Sequence, residues 1–302
     1  MIIYKNLNIK KKHQGSIVAI GNFDGLHVGH QKVLHEAKQK AKRENLKFGL
    51  ITFEPVPTMF FNNSIKNHRI NSLRQKIYFL KKIQLDFLII INFNKTFANL
   101  SAEEFIKKIL FKKIKSKYIF VSKNFNFGKK RLGDIKTLKR FEKKYFYETI
   151  ITIPQKKKEK IVSSTLIRKI IYKGRVQEAE KLLGRPWCVE GEVVKGFQRG
   201  RKIGFPTCNI DLSTYTLPKL GVYSIQVPIG NSKKKGIANV GYRPTFNGKN
   251  LLLEVNIFGL NKNLYKKILK ISFIKFIRAE KKFKTINQLK TQIKKDIISS
   301  KK

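Results

Sequence analysis

Gly21-Asn22-Phe23-Asp24-Gly25-Leu26-His27-Val28-Gly29-His30 is the stretch from which the rest of this 302-residue chain is read. It follows Ile17-Val18-Ala19-Ile20, an unbroken apolar run of the kind that forms a buried parallel strand. After it, Val33, Leu34, Ala37 and Ala41 recur at helical spacing. The segment therefore predicts strand, glycine-rich turn and helix, with two histidines three residues apart at the helix start. Gly21, Gly25 and Gly29 allow close backbone approach to a ligand. A helix N-terminus offers unpaired N–H groups and a positive dipole end to a phosphate. Two imidazoles on one face could donate to charge developing on that phosphate.

Working outward, the chain alternates strand and helix. Phe48–Phe53, Phe87–Ile91, Tyr118–Val121 and Thr149–Ile153 read as further apolar strands, about five in all. Ser72 could cap a helix bearing Leu73, Ile77, Leu80 and Ile83, and Ser101 with Glu104 forms a plausible capping box. This alternation predicts a doubly wound parallel sheet with ligands at the carboxyl ends of its strands. The pattern changes after Leu183-Gly184-Arg185-Pro186. From Val189 to Phe276, short β-rich runs are broken by Gly, Pro and Asn, which predicts an antiparallel barrel. Thr285, with Gln288 three residues on, then caps a final helix carrying Leu289, Ile293 and Ile297. Two unlike domains are expected, 1–184 and 185–302.

Composition bounds the function. Hydrophobic residues make up 41%, enough for packed cores and too many for a disordered chain. Phe87-Leu88-Ile89-Ile90-Ile91 is the longest strongly apolar stretch, far short of a membrane span, and Met1–Lys5 lacks signal-peptide order. Cys188 and Cys208 cannot make a disulfide framework or a zinc site by themselves, so a reduced, cytoplasmic protein is expected. The 66 Lys and Arg against 19 Asp and Glu give a net charge of +47. Such a charge invites a nucleic-acid reading, yet it is spread along the chain without an RNP-like motif, zinc-finger spacing or long basic tail. The Lys, Ile, Asn and Phe bias fits drift in an AT-rich genome, and no specific nucleic-acid or membrane partner is expected. The positive field would draw phosphate-bearing ligands to any site.

Two further segments carry phosphate chemistry. In Ser163-Ser164-Thr165-Leu166-Ile167-Arg168, hydroxyls cap a helix and an arginine one turn on can reach an anion bidentately. Taken alone, it reads equally as a capped helix with a surface arginine. In Gly200-Arg201-Lys202-Ile203-Gly204-Phe205-Pro206-Thr207-Cys208-Asn209, glycines again permit close approach, while Thr207 and Asn209 alternate onto one face. Glu254 sits inside the apolar strand Leu251–Val255, where a carboxylate needs a partner or a job.

Asn22-Phe23-Asp24-Gly25 with His27-Val28-Gly29-His30 resembles the signature of the nucleotidylyltransferase superfamily. With the other motifs, the chain resembles bacterial bifunctional riboflavin kinase/FAD synthetases over nearly its whole length. The resemblance implies a Rossmann-like α/β nucleotidylyltransferase domain followed by an antiparallel β-barrel riboflavin kinase domain with a C-terminal helix. The implied substrates are riboflavin, FMN and ATP, with Mg2+ accompanying ATP. In the first domain it assigns His27, His30 and Arg168 to catalysis. Gly21, Phe23, Asp24, Gly29, Ser163, Ser164 and Thr165 fall to ATP, and Asn124, in Asn124–Gly128 with Arg131-Leu132-Gly133-Asp134, to flavin. In the second it assigns Gly200, Gly204 and Pro206 to ATP, Thr207 and Asn209 to the metal, Glu254 as general base and Arg278 to the flavin border. Gly221–Tyr223, Asn239–Phe246 and Glu280 match further parts of the pattern, and Glu54–Pro57 fits it or reads as a plain turn.

The pattern is not kept everywhere. Ser122 and Lys123 stand where a glycine and an acidic residue are common, and Asn256 and Gly259 where a histidine and an aspartate are common. These departures leave open a chain with one live activity.

Overall fold

The computed structural model describes the chain except residues 63–64, 66–67, 154, 158–159, 195–199, 201–202, 246–247, 261 and 302, with backbone alone at 156–157, 160, 243–245 and 248–250. Arg201 and Phe246 of the motifs above lie outside the described residues. The chain forms two compact units, Met1–Ile65 with Lys76–Val162, and Lys66–Gln75 with Ser163–Lys302. Composition changes near 184–188, where strand-rich sequence begins. Packing, however, groups the two preceding helices, Ser164–Tyr172 and Val176–Leu183, with the barrel.

In the first unit, β1 (Ile2–Tyr4), β2 (Ile17–Ile20), β3 (Phe48–Glu54), β4 (Phe87–Asn92), β5 (Tyr118–Ser122) and β6 (Glu148–Thr152) form one sheet in the order β1-β4-β3-β2-β5-β6. Every pairing is parallel. The five strands read from the sequence are present, and β1 is an addition, three residues paired with Phe87–Ile89. β2 to β4 step one way and β5 returns to the other side of β2, so the strand order reverses at β2. Its carboxyl end is the crevice where a sheet of this kind takes a ligand. Residues Ile17 to Ile20 are all buried, as are Val33, Leu34, Ala37 and Ala41 of the helix Val28–Arg43. The capping box is also present. Ser101 Oγ accepts from the Glu104 N–H at 3.1 Å, and Glu104 accepts from the Ser101 N–H at 2.9 Å. The helix it opens, Ala102–Phe105, runs on as π-helical turns through Ile106–Ile114. The short pair β7 (Lys156–Lys157) and β8 (Lys160–Ile161) follows the sheet.

In the second unit, β9 (Cys188–Val194), β10 (Cys208–Asp211), β11 (Gly221–Ile229), β12 (Ser232–Thr245), β13 (Gly248–Ile257) and β14 (Ile268–Arg278) close an antiparallel barrel in the order β10-β13-β12-β11-β14-β9. Leu251, Leu253, Val255 and Ile257 alternate into its core with Ile210, Val240 and Phe273, and Phe273 stacks on Trp187 with centroids 4.6 Å apart. Thr285 caps the last helix, Ile286–Lys301, its hydroxyl accepting from the Gln288 N–H at 3.2 Å.

Candidate active sites

Gly21 to His27 bridge the end of β2 and the start of the helix Val28–Arg43. Phe23 and Leu26 hold left-handed backbone at φ 47° and 42°, conformations that cost a bulky residue free energy and persist where surroundings enforce them. His27, 5% exposed, is the helix N-cap, and its Nδ1 accepts from the His30 backbone N–H at 3.2 Å. A neutral His27 therefore carries its proton on Nε2, the nitrogen able to donate to a ligand. The imidazoles of His27 and His30 stack with centroids 3.6 Å apart and planes 17° from parallel. Gly29 leaves the room, since a Cβ there would lie 3.2 Å from the His27 ring.

His30 Nδ1 is buried with no hydrogen-bond partner among the described residues. Burial first, then His27 and Lys76, hold the His30 pKa well below its usual 6.5, so His30 is neutral before an anion arrives. Phe23 and Asp24 are buried in the loop and Gly21 is partly exposed.

Asn124 is exposed in a turn just past the carboxyl end of β5, the strand beside β2. Behind it, Phe125 and Phe127 stack at 5.4 Å, and Phe127 bridges to Gly133. Asp134 is an N-cap, accepting from the Thr137 N–H at 2.8 Å.

Ser163 caps the helix Ser164–Tyr172, its hydroxyl accepting from the Leu166 N–H at 3.2 Å, as the motif predicts. Ser164 is partly exposed and Thr165 exposed on the first turn. Arg168 donates through Nε to the His68 carbonyl at 2.7 Å, which fixes the plane of its guanidinium. These residues belong to the second unit.

On the barrel, Glu254 of β13 stands in register with Asn209 of β10 on one side and Asn239 of β12 on the other. Residues directly opposite share a face, so the three polar side chains form a row. Leu253 and Val255, on either side of Glu254, point to the core. Asn209 Oδ1 is buried with no hydrogen-bond partner among the described residues, an amide oxygen suited to a hard cation. Thr207 precedes β10 and is exposed. The turn before it closes through the Phe205 N–H donating to the Gly200 carbonyl at 2.8 Å. A Cβ on Gly200 would lie 2.4 Å from the Phe205 carbonyl oxygen, so only glycine fits. Gly204 takes φ +87°, and Pro206 is exposed.

Two family models match: FAD synthetase over residues 9–166 and riboflavin kinase over residues 183–302. The bifunctional riboflavin kinase/FMN adenylyltransferase of Buchnera aphidicola subsp. Schizaphis graminum is 41% identical over 294 residues, 96% of this chain and 94% of the relative. That of Haemophilus influenzae is 37% identical over 295 residues, 97% of this chain and 96% of the relative. The chain belongs to the bifunctional riboflavin kinase/FMN adenylyltransferase family. Among solved structures it resembles one from Streptococcus pneumoniae, described as a macrolide-efflux protein, at 32% identity and TM-score 0.87, covering 99% of this chain and 98% of that one. Among the described residues here, no helix is long and apolar enough to cross a membrane.

Within the riboflavin kinase region, Arg278 grips the C-terminal helix. Its Nε donates to Asp296 at 2.9 and 3.1 Å and one terminal nitrogen donates to Asp296 at 2.7 Å, while the other donates to the Ala279 carbonyl at 2.9 Å. Glu280 accepts from Asn239 Nδ2 at 3.2 Å, tying the polar row to the segment after β14. Asn256, the residue in place of the usual histidine, donates to the Pro206 carbonyl at 2.7 Å and so steadies the glycine-containing turn. The sequence analysis gave Asn256 only as a departure from the family pattern and did not single out Asn239 as a site residue. Register across three strands reveals Asn239 and a contact 50 residues away reveals Asn256, and neither shows in one strand's sequence.

In the FAD synthetase region, the residue missed was Lys76. It lies 2% exposed on the helix Leu73–Ile83 and donates to the Asn22 carbonyl. A lysine on the apolar stripe, three residues after Leu73 and four before Leu80, was the available signal.

Proposed function

We infer that this chain phosphorylates riboflavin with ATP to give FMN, then adenylylates FMN with a second ATP to give FAD and pyrophosphate. The observation that carries the reading is a phosphate-directed constellation in each of two unlike folds within one chain. One is the stacked histidine pair at the switch point of the parallel sheet. The other is the Asn209–Glu254–Asn239 row on the barrel.

In adenylyl transfer, an FMN phosphate oxygen attacks the α-phosphorus of ATP and pyrophosphate departs. Both reactants are anionic, so alignment and charge neutralisation replace a protein nucleophile. His27, through Nε2–H, and His30 donate to the triphosphate, with Gly21, Phe23, Asp24 and Gly29 shaping the loop around it. Asn124 orients the flavin substrate. Ser163, Ser164, Thr165 and Arg168 serve the same nucleotide, on the strength of the motif.

In riboflavin phosphorylation, Glu254 removes the proton from the 5′-hydroxyl as its oxygen attacks the γ-phosphorus and ADP departs. Gly200, Gly204 and Pro206 form the turn that receives the phosphates. Asn209 Oδ1 and the Thr207 hydroxyl would hold Mg2+, which when bound neutralises charge on ATP phosphate oxygens. Arg278 acts on the flavin border by fixing the last helix beneath it. A cytoplasmic location accords with these substrates and with two unpaired cysteines.

The test is one time course with riboflavin, Mg2+ and excess ATP, the flavins being separated by chromatography. FMN should appear and give way to FAD. His30→Ala should stop at FMN, and Glu254→Ala should make FAD only when FMN is supplied. Loss of both activities from either folded variant would overturn the two-site assignment.

A further inference from the structure

A lysine ammonium is expensive to bury without compensating partners, and an apolar residue would fill the same space at lower cost. Lys76 is nonetheless 2% exposed. Its Nζ donates to the Asn22 carbonyl at 2.8 Å and to Thr52 Oγ1 at 3.3 Å. Thr52, itself fully buried on β3, donates to the same carbonyl at 3.1 Å. Two donors thus converge on one oxygen at the entrance to the loop. The two left-handed residues, Phe23 and Leu26, follow immediately, and that backbone requires enforcement from outside. The loop ends at His27, whose ring stacks on His30.

We propose that Lys76 is a positioning residue of the FMN adenylyltransfer site, anchoring the Asn22 carbonyl so that the His27–His30 pair meets the ATP triphosphate. This rests on the adenylyltransferase reading of the histidine loop. The hydrogen bond fixes the loop, and the charge adds a buried positive field on the side where the anion binds. The groups whose charges bear on His30 are His27, on its own helix, and Lys76, from the neighbouring one. Burial is the main reason His30 stays neutral in the free protein, and Lys76 adds to it in the same direction after His27.

Three full-length variants test this against the wild type, each assayed for both reactions in one preparation. Lys76→Met removes bond and charge. Lys76→Gln keeps a donor for the Asn22 carbonyl and removes the charge. Lys76→Arg keeps the charge. The expected result for Lys76→Met is a loss on the order of 10²-fold in FMN adenylylation, the scale of a displaced catalytic group. Riboflavin phosphorylation should stay within about twofold, since the barrel holds its own site. Lys76→Gln and Lys76→Arg should each recover part of the rate. The His30 imidazole resonance should titrate at higher pH in Lys76→Met and Lys76→Gln than in wild type.

Full FAD formation by Lys76→Met, or unchanged His30 titration in both charge-removing variants, overturns the proposal. So does parallel loss of both activities in Lys76→Met and Lys76→Gln, which would mark a purely structural lysine. Absence of FAD from the wild type is a different failure, that of the adenylyltransferase reading itself.

Discussion

His30 donates its backbone N–H to Nδ1 of His27 at 3.2 Å while the two rings lie stacked 3.6 Å apart. One histidine is thus both the cap of the helix and the orienting platform for the other. Capping fixes the tautomer of a neutral His27, and stacking sets the rings so close that two imidazolium charges on them would repel.

Structure and chemistry at His27 can be separated. His27→Ser retains a cap for the helix, whereas His27→Ala removes it at a cost of about 1 kcal/mol. Both should slow FAD formation by roughly 10²–10³-fold. Thermal melting should distinguish them, Ser lying near wild type and Ala below it.

Acid should weaken the sheet unit. His30 and His13 both have lowered pKa values, chiefly through burial. In the folded state they stay neutral where the unfolded chain, with a His pKa near 6.5, binds protons. Their contribution to stability is whole above about pH 6.5 and falls as pH drops below it. Melting temperature measured from pH 8 to 5 should fall on the acid side, and inorganic tripolyphosphate should offset the part due to His30.

Asn209 should trade stability against activity. Its buried Oδ1 lacks a partner among the described residues, so Asn209→Leu removes an unsatisfied oxygen and should leave the melting temperature equal or higher. The same change should reduce riboflavin phosphorylation more than about 100-fold, with FAD formation from added FMN retained. Paired melting and flavin chromatography check both halves.

The pair Arg278–Asp296 should behave as a latch on the last helix. Asp296→Ala leaves a largely buried guanidinium without its carboxylate and should cost about 3–5 kcal/mol. Riboflavin phosphorylation should then be lost at a lower temperature than FAD formation from FMN, as heat inactivation of the two activities would reveal.

Much of this was legible in the sequence because the signals are local. Val33, Leu34, Ala37 and Ala41 gave the buried face of the first helix, and Ser72, Ser101, Ser163 and Thr285 gave four N-caps that the structure bears out. Glu254 stood out as a carboxylate among leucines. Two strands lacked such signals. Ile2-Ile3-Tyr4 is too short to show a period, and Cys208-Asn209-Ile210-Asp211 became a full strand only through its partners β13 and β9. Lys76 drew no reading of its own, being one of many lysines spread along the chain. Asn239 and Asn256 owe their places to register and to a contact 50 residues away, which no local pattern encodes.

Residues 68–75 pack with the barrel although some 110 residues separate them from it in the chain. Trp187 Nε1 donates to the Ile70 carbonyl at 3.0 Å, Gln75 Nε2 to the Cys188 carbonyl at 3.0 Å and Ser72 to Glu190 at 2.6 Å. The polypeptide therefore crosses from one unit to the other three times, and no single cut yields either of them whole. A gene split at the composition boundary would leave the kinase fragment with a bare indole N–H and an empty slot. It would have to borrow the missing segment from the other fragment. Interleaving of this kind ties the two enzymes to a shared inheritance: they can diverge in rate within one chain far more readily than they can part into two.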